Sequence, residues 1–282
     1  MHVFGLIFSL LSFPLFAMYE MTSTIYDIDY GNNTDDEVLV LLSNGHVTKI
    51  NHSNEFLMPY LTDVKLKNKL FKFTLDEKRY ITHLENLETP KYAMPETCTT
   101  KTRINQEYVP TTIANMNLAK AYHREARYNP KESQCFNRAM VWTYEWWKNH
   151  SLKSNKLLIY FTRTYIRRYN FEWWFHIAPY VHVIHEGKVV ERVMDVKYTR
   201  GPLEFIKWAN IFLHNDAPCP VITKFSDYAD NPYAGECFLQ RTHMYTYQPA
   251  DLQMYEAWGY KKESFIMDEI RGAYLEAFDE SI

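Results

Sequence analysis

Glycine is scarce in this chain, with 8 residues in 282, and no charge of one sign prevails, the net value being −3. Few glycines beside 22 Tyr, 17 Phe and 7 Trp exclude a disordered or linker-like polymer and suit a well-packed, partly sheet-built protein. The near balance of charge provides no field that would draw nucleic acid or an anionic membrane surface, so neither is an expected partner. Cysteine is limited to Cys98, Cys135, Cys219 and Cys237, and no C-x-x-C spacing occurs, which argues against a structural zinc site. Long apolar runs are also lacking, with one exception. Residues 1–17, MHVFGLIFSLLSFPLFA, end in the small residue Ala17 and read as a signal peptide. A buried segment or membrane anchor is the alternative, since His2 stands where Lys or Arg is usual. No internal repeat is visible.

What is present organises into a β-rich beginning and a larger mixed remainder. Residues 36–50 contain two β-prone runs joined by Ser43-Asn44-Gly45, an Asn-Gly hairpin turn. More alternating sequence follows to Phe73, and LDEKRYITHLENL then reads as a short helix or mixed segment. Residues 88–110 hold three prolines and little periodicity, the pattern of a linker. Beyond it, residues 111–127 have helical spacing with Thr111 or Thr112 as cap. A break at Pro130 precedes a second helix, FNRAMVWTYEWWKN. Strands are expected at 156–166, 171–184 and 188–196, a helix at 201–212, and a polar helix-like tail at the end. The division is therefore a leader at 1–17, a β-rich segment at 18–87, a linker at 88–110, and a main domain at 111–282.

Cys135 stands where the loop YNPKESQ gives way to the second helix. A thiol at a helix N-terminus feels the positive end of the macrodipole and unpaired N–H groups, and both favour thiolate, the nucleophilic form. The same N–H groups can hold an oxyanion. The plainer reading is a small buried core residue. With Cys135 as nucleophile, at most one disulfide remains among the other three, and Cys219 with Cys237 is the expected pair. The strands 171–184 and 188–196 provide a second, independent argument. A turn at Glu186-Gly187 pairs 178 with 195, which sets His176 and Asp195 diagonally on one face, about 7–8 Å apart at Cα. A slip of one residue would separate them. A histidine oriented by a carboxylate is the base that a cysteine nucleophile uses. His182 shares the face of His176, but no third metal ligand stands at suitable spacing, so no metal is expected. The tryptophans 146, 147, 173 and 174 could line a cleft, although most such residues build core.

The order Cys, His, Asp on helix, strand and strand resembles the papain and transglutaminase superfamily core. The closer resemblance is to the bacterial protein-glutaminase family, whose members deamidate glutamine side chains in folded proteins. It is carried by C-x-x-R-A at Cys135–Ala139, an aromatic with H-I-A at Phe175–Ala178, Val193-Met194-Asp195, Gly201-Pro202, and Pro130 five residues before the cysteine. It covers roughly residues 108–255. The chain departs from that pattern at Ser133-Gln134, where the family has Asp-Gly, and at Val196, where it has proline, and it lacks most of the family's disulfides. These departures bear on the substrate more than on the nucleophile.

The resemblance implies an α+β fold with a papain/transglutaminase-like antiparallel sheet and an N-terminal catalytic helix, preceded by a small β-rich segment. It implies Cys135, His176 and Asp195 as a triad that hydrolyses glutamine carboxamides through a thioester. The Cys135 backbone N–H is the expected oxyanion donor, and Gln134, Ser133 and Trp174 are candidates for oxyanion or substrate contacts. No cofactor is implied. The expected partner is a glutamine-bearing protein or peptide, and the expected state is a secreted or periplasmic monomer, free of the membrane once the leader is removed. Residues 18–87 stand where that family carries a pro-segment, making a zymogen an expectation by position alone. Transglutaminase-like acyl transfer or proteolysis by the same triad, and a binding module with an inactive triad, stay open as alternatives.

Overall fold

The computed structural model describes residues 18–31, 36–54, 56–62, 69–87, 108–127, 133–259, 261 and 263–279. The expected leader at 1–17, Cys98, Pro130 and nearly all of the expected linker lie outside the described residues. The chain divides into two compact units, one formed by 1–42 with 48–90, the other by 43–47 with 91–282.

The first unit is a five-stranded sheet ordered β3-β2-β1-β4-β5. Its strands are β1 (Tyr19–Asp29), β2 (Glu37–Leu42), β3 (Val47–Asn51), β4 (Leu70–Leu75) and β5 (Ile81–Leu87), with a short helix α1 (Met58–Thr62). One residue in two along β2 and β4 builds its core, with Val38, Val40 and Leu42 meeting Phe71, Phe73 and Leu75, as the period of a strand requires. The segment 81–87, read from sequence as helical or mixed, is a strand paired antiparallel with β4. Asp76 explains the difference: its Oδ1 accepts from the N–H groups of Lys78 and Tyr80 at 2.9 and 2.8 Å. That local turn sends the chain back along β4 before a helix can form.

The second unit contains a mixed sheet ordered β10-β11-β7-β8-β6, with β9 on β8. The elements in chain order are β6 (Thr112–Ile113), α2 (Met116–Glu125), α3 (Cys135–His150), β7 (Asn155–Phe161), α4 (Arg163–Tyr169), β8 (Phe175–His185), β9 (Lys188–Val193), α5 (Phe205–Ala209), β10 (Val221–Ile222), α6 (Phe225–Ala229), β11 (Cys237–His243), α7 (Pro249–Trp258) and α8 (Glu263–Phe278). Most strand pairs are antiparallel; β6 with β8 and β10 with β11 are parallel. Several boundaries differ from the sequence reading for local reasons. Asn115, not Thr111 or Thr112, caps α2 by accepting from Leu118 N–H at 2.9 Å, because Thr112 and Ile113 are drawn into β6 beside His182 and Val183. Residues 163–166, expected as strand, begin α4, with Thr162 Oγ1 accepting from Tyr165 N–H at 3.1 Å.

Helix α3 is the centre of this unit. Every residue from Phe136 to Thr143 is buried, the signature of a helix packed on all sides. One side meets β8 through Trp142 and Trp146 with Val181 and Val183, and the two indole N–H groups donate to the Arg127 and Tyr122 carbonyls. Another side carries Met140 and Val141 against Ile266, Ile270, Ala273 and Tyr274 of α8. The expected polar tail is thus an amphipathic helix that closes the core. Near the N-terminus of α3, Asn137 bonds both Glu276 and the Tyr247 hydroxyl. A disulfide joins Cys219 to Cys237, Cα atoms 4.9 Å apart, tying the approach to β10 to the start of β11.

Candidate active site

Two local features of the sequence converge on one point in the second unit. The first is the start of α3. Gln134 is extended at φ −66° and ψ 152°, and no side chain caps the helix, so Cys135 opens the first turn among N–H groups that no cap has taken. The second is the β8–β9 hairpin. Glu186 and Gly187 both have positive φ, 50° and 73°, the two-residue turn whose twist matches its strands. It sets His185 opposite Lys188 and Tyr180 opposite Val193. The ladder continues with Met194 N–H donating to the Pro179 carbonyl at 2.8 Å. The strand ends at Val193, short of the 188–196 expected from sequence, and Asp195 opens a turn in which its carbonyl accepts from the Tyr198 and Thr199 N–H groups at 3.1 and 2.9 Å.

The three side chains meet. His176 Nε2 lies 2.7 Å from Asp195 Oδ2, and the same imidazole acts on the Cys135 thiol and lowers its pKa. The Ile177 backbone N–H acts on the thiol in the same direction. Cys135 is partly exposed, while His176 and Asp195 are 3% and 1% exposed. Of the three residues, Cys135 is the one that reaches toward solvent.

Electrostatics separate charge across the pair. Burial alone would raise the Cys135 thiol, but the hydrogen bond and charge of His176, the charge of Arg138 and the Ile177 N–H outweigh it and bring it below the ordinary thiol range. Burial would likewise lower His176, yet Asp195 and the cysteine lift it to about 9. Asp195 is held below the usual carboxylate range despite burial, by His176, by the Trp208 indole and by Arg138. These shifts all favour the charge-separated form, thiolate, imidazolium and carboxylate, over its neutral counterpart. Such a set can attack a carbonyl carbon and hand a proton to the departing group.

Trp173, already noted as a possible cleft residue, and three aromatic residues not singled out in the sequence complete the surroundings. Trp208 Nε1 donates to Asp195 Oδ2 at 3.0 Å, and its ring stacks on His176 with centroids 5.6 Å apart. Trp173 stacks on the imidazole at 6.0 Å, while Tyr198 and Phe212 approach it at 5.2 and 4.7 Å. Four aromatic rings thus surround the imidazole. Behind them, Thr199 donates to the Asp195 carbonyl at 2.9 Å, and buried His123 lies 3.1 Å from the Thr199 hydroxyl.

The candidate substrate-contact residues fare differently. Trp174 is a core residue, 1% exposed and stacked on Tyr228. Its neighbour Trp173 faces the histidine, because β8 begins only at Phe175 and strand alternation does not reach back to these positions. Ser133 is buried, and both its carbonyl and its hydroxyl accept from Arg138 Nη1. Gln134 Nε2 lies 3.5 Å from His46 Nε2. His182, once weighed as a metal ligand, faces Glu191 at 3.7 Å.

His46 belongs to residues 43–47, which pack as part of this second unit. Val47 N–H donates to the Glu172 carbonyl at 2.8 Å, Trp174 N–H donates to the Gly45 carbonyl at 2.9 Å, and His46 bridges Trp173. Gly45 has φ +92°, and a Cβ there would stand 3.1 Å from the Phe175 ring. The position needs glycine for both conformation and space.

Comparisons with known proteins bear on the family of this segment and on the fold. Residues 104–212 match the family described as Glutaminase, a stretch that contains Cys135, His176 and Asp195. No curated protein matches the chain. Among solved structures, a mutant of pro-protein-glutaminase aligns over 93% of this chain and 94% of its own, with a TM-score of 0.55 at 14% identity. Pro-protein-glutaminase itself aligns over 91% and 92%, with a TM-score of 0.53 at 13% identity. The chain is thus an α+β protein with the fold of pro-protein-glutaminase, and its segment 104–212 is matched by the glutaminase family.

Proposed function

We propose that this chain is a cysteine-dependent hydrolase that deamidates glutamine side chains in proteins. The observation that carries the reading is the meeting of Cys135, His176 and Asp195, with the histidine hydrogen-bonded to Asp195 and lowering the Cys135 thiol, inside the segment matched to glutaminases. The Cys135 thiolate attacks the carboxamide carbon, and the oxyanion is received by the Cys135 backbone N–H, with the Gln134 side chain assisting. The His176 imidazolium gives its proton to the amine as the C–N bond breaks, so ammonia leaves and a thioester forms. Neutral His176 then takes a proton from water, whose oxygen attacks the thioester, releasing glutamate and the thiolate. Asp195 keeps the imidazole in one tautomer and orientation throughout.

Residues 18–87 are proposed as a pro-segment removed on activation, and residues 1–17 as the signal that exports the chain. Support for the first is the packing of residues 43–47 beside Trp173 and Gln134, the immediate neighbour of Cys135. For the second it is the apolar run ending at Ala17. Among the described residues no helix is long and apolar enough to cross a membrane.

The fate of the thioester distinguishes this reading from its relatives. Water gives deamidation, a lysine amine gives a crosslink, and a backbone amide as the first substrate gives proteolysis. The test is to incubate a glutamine-containing protein with the chain cut in 88–110, then measure ammonia, crosslinked species and new termini together. Ammonia without the other two products is expected. Crosslinks or fragments as the main product would replace the proposed activity.

A further inference from the structure

We propose that Arg138 is a positioning residue of this site, a fixed buried cation that neutralises the charge of the Cys135–His176–Asp195 set and pins the turn leading into Cys135. The inference rests on the reading of Cys135 as nucleophile. Arg138 is only 4% exposed, although guanidinium groups are rarely buried without a paired anion. Its Nη1 donates to the carbonyl and hydroxyl of Ser133, and its Nε has no hydrogen-bond partner among the described residues. Neither bond is to a carboxylate. The anions on which its charge acts are instead Cys135 and Asp195.

The charge count explains why a cation belongs there. Thiolate, imidazolium and carboxylate sum to one negative charge, held by a histidine and an aspartate that are 3% and 1% exposed, and a buried net charge is costly. Arg138 brings the group to neutrality. Other titratable groups face the same set. Glu172 and Tyr198 lie beside it, His123 looks toward Asp195 from α2, Tyr247 approaches ahead of α7, and His46 touches Gln134. Burial lowers His123, which is therefore neutral, and burial raises both tyrosines. The positive charges acting on both Cys135 and Asp195 are His176 and Arg138. His176 gives up its proton when ammonia departs, whereas Arg138 stays charged through the cycle. Its position one helical turn after Cys135, reaching back to Ser133 just before it, also clamps the helix start.

The test follows Cys135 alkylation by iodoacetamide against pH in the full chain, read on the Cys135 peptide by mass spectrometry, for wild type, Arg138→Met and Arg138→Lys. In wild type the rate is expected to hold into mildly acidic pH. Arg138→Met is expected to move the midpoint upward by about one pH unit, which slows alkylation roughly tenfold below it. Arg138→Lys keeps the charge and should hold the midpoint, while loss of the two-point grip on Ser133 lowers kcat for ammonia release. A folded Arg138→Met protein with the wild-type midpoint overturns the proposal. Should Arg138→Met not fold, an Arg138→Lys midpoint shifted by a full unit overturns it equally, because charge would not be the cause. Wild-type alkylation with the midpoint of an ordinary thiol sinks the nucleophile reading itself. Wild-type alkylation at acidic pH, with no ammonia released by the same protein once cut in 88–110, defeats the proposed substrate and leaves the role of Arg138 standing.

Discussion

Replacing Trp208 by phenylalanine isolates one interaction at the site. The ring that stacks on His176 at 5.6 Å is largely kept, while the N–H that donates to Asp195 Oδ2 at 3.0 Å is lost. Asp195 is 1% exposed and Trp208 fully buried, so water does not readily replace the missing donor. A hydrogen bond to a buried charged group contributes about 1.5–3 kcal/mol. At roughly 2–4 °C per kcal/mol, the melting temperature should fall by about 3–12 °C at pH 7. The sign of the pH dependence follows from Asp195. Its folded pKa is depressed, so its contribution to stability is present above the usual carboxylate pKa and disappears as pH falls through the folded value. The variant raises that folded value, so its deficit should shrink at acid pH. In turnover, a less firmly held Asp195 orients His176 less well, and kcat for ammonia release should drop roughly 10- to 100-fold. KM should hold, since a buried indole cannot touch substrate. Thermal melts at pH 7 and 3, with initial rates over a range of substrate, make the check. A deficit independent of pH, or a raised KM with kcat unchanged, would refute this account of Trp208.

Two further predictions use other parts of the molecule. His176 is raised to about 9, so kcat/KM should fall as pH rises past about 9, where the imidazolium is lost. The stability that this group adds is complete below its ordinary pKa near 6.5 and is lost through about 9, and a basic limb near 6.5 would contradict the pairing with Asp195. Cys219→Ser with Cys237→Ser opens a loop of sequence separation 18. Chain entropy puts the expected loss at about 3 kcal/mol, measurable by urea titration, whereas an unchanged midpoint would show that the cross-link adds no stability.

The parts of this site that were legible in the sequence are those set by local rules. A two-residue turn at Glu186-Gly187 sets the register of β8 against β9, and Asp195, two residues past the end of that ladder, still comes to His176. The break before Cys135 and the apolar stripe after it mark a helix start whatever the rest of the chain does. What surrounds the histidine was not legible in this way. Trp173 precedes the strand, Tyr198 lies in the turn after β9, and Trp208 and Phe212 come from α5 and the turn that follows it; only tertiary packing brings them to one ring. Arg138 was visible as part of a motif, but its burial and its grip on Ser133 were not. The helix α8 was in principle readable, since Ile266, Ile270, Ala273, Tyr274 and Ala277 recur at helical spacing, although flanking acids made it resemble a polar tail. The segment 81–87 has a period that fits neither element well, and its pairing with β4 decided the matter.

The most direct test of the central claim is ammonia release from a glutamine-containing protein by the chain cut in 88–110, beside the same preparation carrying Cys135→Ala. The account predicts stoichiometric ammonia and glutamate from the first, and loss of release by several orders of magnitude in the second. Equal release from both would mean that Cys135 is not the nucleophile, whatever its place beside His176.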